Sequence, residues 1–100
     1  LIKHIVMWRL KHEAAGASTE ENAQKVKQML ENLKGVIPEI LHLEVGMNVL
    51  PSPAAYEVAL YSELASLDAL AAYQKHPEHE KCKEFIGQIA AQRAVVDYEI

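Results

Sequence analysis

Residues 2–11 alternate with period two, and both faces of the alternation are apolar. Ile2, His4, Val6, Trp8 and Leu10 fall on one side, and Lys3, Ile5, Met7, Arg9 and Lys11 on the other. Period two marks a β-strand. An antiparallel strand with one solvated face should be polar on that side. Here Val6, Trp8 and Leu10 occupy one face while Ile5 and Met7 occupy the other, so the strand needs cover twice. The last strand, read over 93–99, repeats the situation with Val95 and Val96. A chain of 100 residues builds one domain, 1–100, with a small core. One layer of helices covers one sheet face. An apolar face left bare marks an interaction surface, and the simplest cover is a second copy related by a two-fold axis.

The rest of the chain supplies that layer of helices. Residues 13–17 read as a loop. Ser18 with Glu21 three residues later forms a capping-box pattern, which starts a helix. Val26, Met29, Leu30 and Leu33 continue it at helical spacing, and Gly35 is expected to close it. A second strand is expected over 40–49, with Leu41, Leu43, Val45, Met47 and Val49 on one face and Ile40, His42, Glu44, Gly46 and Asn48 on the other. Because His42 shares a face with Ile40, it reads as a helix-side core residue. Pro51-Ser52-Pro53 turns the chain into a third strand, about 55–64, with Tyr56, Val58, Leu60, Ser62 and Leu64 on one side. Ser66 caps a short helix that ends near His76, and Pro77 suits the first position of the next. That helix presents Cys82, Phe85, Ile86 and Ile89. The order β-α-β-β-α-(α)-β is the ferredoxin-like split βαβ arrangement. It implies an α+β fold, a four-stranded antiparallel sheet with helices on one face. Two such sheets packed face to face would form a dimeric α+β barrel, with Ile5, Met7 and Tyr98 at the dimer interface.

Bulk properties narrow the partners. The formal net charge is −4, without the basic stripe that nucleic-acid binding requires. Lys25, Lys27 and Lys34 are offset by Glu20, Glu21 and Glu31, a pattern typical of solvated helix surface. Cys82 is the only cysteine, so no internal disulfide forms and nothing signals an oxidising compartment. No apolar run approaches the ~20 residues of a membrane span, and the chain begins directly on a strand pattern. These features read as a cytoplasmic homodimer with no nucleic-acid or membrane partner.

Acid–base chemistry concentrates in Tyr73-Gln74-Lys75-His76-Pro77-Glu78-His79-Glu80, because His is the side chain that changes charge near neutral pH. This run, together with Lys3-His4-Ile5-Val6, Ile37-Pro38, Val45-Gly46-Met47-Asn48 and Asp97-Tyr98, resembles the stress-responsive A/B barrel (Dabb, dimeric α/β-barrel) family over nearly the whole chain. The resemblance implies a ferredoxin-like fold and a homodimer. A plant polyketide cyclase of that family closes an aromatic ring by intramolecular aldol condensation. Its catalytic His and Tyr fall on His79 and Tyr73, and a further pocket His falls on His4. Another of its pocket histidines falls on Val58, which weakens transfer of that substrate. A plant stress-induced member holds a divalent cation through backbone carbonyls in the stretch matching Lys34 to Ile40.

A neutral His79 would remove a proton next to a carbonyl, since a general base works best with a pKa near the operating pH. Tyr73 would donate to the developing enolate oxygen. His4, on the face of Val6 and Trp8, would meet them across a pocket between sheet and helices that binds a small apolar metabolite. Trp8, Val58, Leu60 and Phe85 would supply its walls. The competing reading is a stress-related structural dimer with no ligand. In it His79 bonds its own neighbourhood, His76 only caps a helix, and Tyr73 is a core aromatic. His76 and His79 lie three residues apart, but a zinc site needs at least three protein ligands, and His4 or His42 would have to come from distant strands. No metal or cofactor is expected. Cys82 reads as a small buried hydrophobe, His12 as solvated, and Asp97 as a local partner without a catalytic role.

Overall fold

A computed structural model describes all residues, Leu1–Ile100. Its four long strands are β1 (Ile2–Leu10), β4 (His42–Met47), β5 (Val58–Leu64) and β6 (Ala90–Glu99). They form one antiparallel sheet in the order β4-β5-β1-β6. Between β1 and the first helix, the short strands β2 (Glu13–Ala14) and β3 (Ala17–Ser18) pair as a small hairpin. Ala15 and Gly16 at its tip both take positive φ, 53° and 74°, the backbone of a type I′ turn. The segment expected to be a simple loop is therefore ordered.

Three helices cover one face of the sheet: α1 (Thr19–Glu31), α2 (Leu67–Lys75) and α3 (Pro77–Ile89). The α1 N-terminus carries the full capping box, with the Glu21 amide donating to Ser18 Oγ and the Ser18 amide donating to Glu21. Ser66 caps α2 by accepting from the Ala69 amide. His76 closes α2 and opens α3, its Nδ1 accepting from the Glu78 amide at 3.1 Å, with Pro77 as the first helical residue. No helix is long and apolar enough to cross a membrane.

The core lies between the helices and the inner sheet face. Val6, Leu43, Val45, Leu60 and Leu64 meet Val26, Leu30, Tyr73 and Ile89 there, all essentially without solvent contact. Several expected boundaries shift. Strand β4 is shorter than 40–49 and β5 shorter than 55–64, while β6 begins at Ala90, directly at the end of α3. Helix α1 stops at Glu31, and turns over Asn32–Ile37 precede and follow Gly35, whose φ is +78°. His42 is exposed and not a core residue: Leu43 and Val45 take the inner face of β4, which turns His42 outward. There it bonds Glu44 at 2.9 Å and meets the Tyr61 ring edge-on at 5.8 Å.

Helices pack over β4, β5 and β1 but leave β6 mostly bare, so it is exposed on both faces. The register of β1 with β6 slips between Arg9 and Leu10: Arg9 faces Gln92 but Leu10 faces Ala90. Ala91 is the extra residue of a β-bulge, which bends a strand locally. The diverging α3 and β6 leave a cleft on the inner side of β1.

Candidate functional site

That cleft is a cavity of about 640 Å3. Strand β1 contributes His4, Val6 and Trp8, β5 contributes Leu60, and α1 contributes Leu30. Helix α3 contributes His79, Cys82, Lys83, Ile86 and Gly87, a stripe at helical spacing. The bulged start of β6 supplies Ala91, Gln92 and Arg93.

The sheet register places His4. Its cross-strand neighbours are Ser62 on β5 and Asp97 on β6. His4 is buried, and its Nδ1 bonds the Asp97 carboxylate. An ionised carboxylate only accepts, so His4 Nδ1 donates in this contact. Tyr73, from α2, stands between two imidazoles. Its ring centroid is 4.6 Å from that of His79 and 6.0 Å from that of His4, both edge-on. The Tyr73 hydroxyl is fully enclosed and has no hydrogen-bond partner in the protein. Burial pushes the phenol above its ordinary pKa, so it stays protonated.

His79 opens onto the cavity, and its Nδ1 is buried without a hydrogen-bond partner. Burial holds its pKa below the usual histidine value. The Gln74 carbonyl, outside hydrogen-bond geometry, and Glu80 oppose the shift, while the nearby charges of His4 and Lys83 reinforce it. Ser62, the cross-strand neighbour of His4, also buries an unpartnered hydroxyl. Of the four buried side-chain polar atoms without a partner, three belong to Ser62, Tyr73 and His79; the fourth is Arg9 Nε. Such atoms are rare in native interiors.

The structure brings His4, Tyr73 and His79 together and sets Trp8 and Leu60 in the cavity wall. Two expected wall residues lie elsewhere. Val58 is enclosed in the core beside its strand neighbours Trp8 and Met47. Phe85 lies on another side of α3, where the Lys25 ammonium sits 4.4 Å from its ring centre. Tyr73 backs the two imidazoles and is not itself part of the wall. Cys82 is buried with Sγ 3.7 Å from the Met29 carbonyl, and burial raises its thiol pKa. Asp97, read from sequence as a local partner, reaches across to His4. Sequence pattern does not single out Ser62, Lys83 or Arg93; a hydroxyl within the apolar run Val58, Leu60, Ser62, Leu64 is the one local sign. No group of three or more His, Cys, Asp or Glu side chains converges to hold a metal ion.

A family model described as the Stress Responsive A/B Barrel Domain matches residues 2–100. The chain is 28% identical over 102 residues to a stress-response A/B barrel domain-containing protein of Arabidopsis thaliana, an alignment covering 98% of this chain and 36% of that relative. It thus spans little more than a third of the plant protein. A dimeric protein of unknown function with a ferredoxin-like fold from Bacteroides fragilis superposes with a TM-score of 0.85 at 34% identity, covering 99% of this chain and 95% of that one. A dimeric ferredoxin-like protein of unknown function from Thermobifida fusca gives 0.84 at 26% identity, covering 99% and 90%. The chain belongs to the stress-responsive A/B barrel domain family.

Proposed function

We propose that this domain is a cytoplasmic homodimer that binds a small apolar metabolite between sheet and helices and performs His/Tyr acid–base chemistry on a carbonyl, resembling polyketide cyclisation. The observation that carries this reading is the approach of three polar rings at the cavity: His79 in its wall, His4 held by Asp97, and the protonated Tyr73 behind both. A 640 Å3 cavity with mostly apolar walls falls in the range of small-molecule sites. His79, kept neutral by its surroundings, acts as the base that removes a proton next to the carbonyl. Tyr73 donates to the ligand oxygen as charge develops, with His4 held beside it by Asp97. Tyr73 is enclosed, so this donation requires a side-chain shift when a ligand enters.

The outer sheet face supports the homodimer. Ile5 pairs across the strands with Val96, Met7 with Ala94 and Lys3 with Tyr98, so these side chains form one patch. Met7, Val96 and Tyr98 remain 37–52% exposed. A second copy of the patch covers it, and the similar structures from B. fragilis and T. fusca are described as dimeric. The unpaired Cys82 fits a reducing compartment.

The test needs no known substrate. A panel of apolar β-keto acids and phenols is titrated against Trp8 fluorescence, since the only tryptophan lies in the wall. Deuterium uptake at the α-carbon of any keto ligand that binds is then followed in D2O. The protein is expected to accelerate exchange roughly 10²-fold or more, and His79→Ala to abolish the acceleration while leaving binding largely intact. Binding without exchange would reduce the site to a carrier. The enclosure of the Tyr73 hydroxyl favours the competing reading, a stress-related structural dimer with no ligand, which the panel would support by leaving Trp8 unaffected.

A further inference from the structure

The cavity is electrically lopsided. Its lining holds two permanent cations, Lys83 on α3 and Arg93 on β6, and no aspartate or glutamate. The whole chain has the opposite balance, with 14 acidic and 10 basic residues. Neither cation forms an ion pair within the protein. The four ion pairs join His4 to Asp97, Lys27 to Glu31, His42 to Glu44 and Lys81 to Glu78. The acids nearest Lys83 in sequence, Glu80 and Glu84, do not line the cavity; they border a shallow surface groove that Lys83 and Gly87 also reach. Lys83 lies one turn beyond His79 and close enough to oppose protonation of its ring. Arg93 sits opposite Trp8 in the β1–β6 register, just past the Ala91 bulge. Both side chains are exposed while His4, Val6, Trp8 and Leu60 are buried. The cavity thus runs from an apolar interior to a mouth flanked by a cation from each side.

We propose that the ligand of this cavity is a carboxylate with an apolar body, its anionic head held at the mouth by Arg93 and Lys83 and its body lying against Trp8, Val6 and Leu60. This names the ligand class of the proposed site and rests on that reading. Arg offers a planar pair of donors that matches a carboxylate, and Lys adds a point charge. Anchoring the head at the mouth directs the body toward His79 and His4. A cationic ligand is disfavoured by the same two side chains.

The experiment compares octanoate with 1-octanol, which share a hydrocarbon chain and differ in charge. Binding to the full protein is measured by Trp8 fluorescence and isothermal titration calorimetry in low salt. Octanoate is expected to bind about tenfold more tightly than 1-octanol, because charge-assisted hydrogen bonds exceed neutral ones. Its advantage should shrink in about 0.5 M NaCl, as screening requires. The Lys83→Gln/Arg93→Gln double variant should lose that advantage and bind 1-octanol as before. Equal affinity for the two probes in the unaltered protein would overturn the carboxylate assignment while sparing the cavity reading. An octanoate preference that survives in the double variant would overturn the assignment to these two residues. Failure of both probes to bind would remove the apolar site itself and the proposed function with it.

Discussion

Replacing Tyr73 by Phe is expected to stabilise the fold while impairing the site. The Tyr73 side chain is fully buried, and its hydroxyl has no partner in the protein. A buried hydroxyl that makes no hydrogen bond costs about 1–3 kcal/mol relative to one left in water. Phenylalanine removes that hydroxyl and keeps the ring, so the edge-on contacts with His79 and His4 at 4.6 and 6.0 Å persist. The volume lost is a single oxygen, which leaves little room for a cavity penalty. The expected net gain is about 1–2 kcal/mol. For a domain of this size each kcal/mol raises Tm by roughly 4–8 °C. Urea and thermal unfolding followed by far-ultraviolet circular dichroism would read the change, at one fixed protein concentration because dimerisation adds its own stabilisation. In the same variant, deuterium exchange on a bound keto ligand should fall. A variant destabilised by more than about 1 kcal/mol would show that the hydroxyl is well satisfied, and would refute the reasoning that Tyr73 is kept for chemistry at the expense of stability.

Other expectations follow from the same geometry. Met7→Glu places a charge in the middle of the outer apolar patch and should shift sedimentation equilibrium toward monomer. An unaltered dimer would contradict the assignment of that face. The pH dependence of stability should carry a contribution from His79. Its native pKa lies below the ordinary value, so on acidification the unfolded chain binds the proton first. Stability is therefore intact above about pH 6.5, the unfolded value, and declines as pH falls toward the native pKa. The His79→Gln variant should show a shallower decline in urea denaturation between about pH 7.5 and 5, and identical slopes would remove the effect. Asp97→Asn weakens the hold on His4 and should lower ligand exchange without dissociating the dimer, read by the deuterium assay and sedimentation together.

The frame of the fold is written locally. Strict period two marks β1, and Ser18, Ser66 and Pro77 sit at the helix starts because capping is a short-range interaction. Local pattern fails where tertiary packing chooses. The chain entering β4 has adjacent apolar residues, Ile40 and Leu41, so alternation alone defines no unique face. Packing against α1 settles it by burying Leu43 and Val45. The start of β6 is Ala90-Ala91, residues with little strand preference, and it follows α3 without a loop to announce it. The site divides in the same way. His79 and Tyr73 flank one helix junction and are legible, and His4 is legible from its strand face. Its partners Asp97 and Ser62 are set by cross-strand register, which no local motif encodes. Phe85 falls outside the expected wall because α3 turns its cavity stripe through His79, Lys83 and Ile86, leaving Phe85 toward α1.

The proposed chemistry stands on a neutral His79 facing a ligand cavity. The most direct measurement is a proton NMR titration of the five histidines, with and without the panel of apolar β-keto acids and phenols. The His79 resonance is expected to titrate below the ordinary histidine value and to move when a ligand binds. A His79 that titrates at the ordinary value and ignores every ligand would contradict it and leave a dimer whose role is structural.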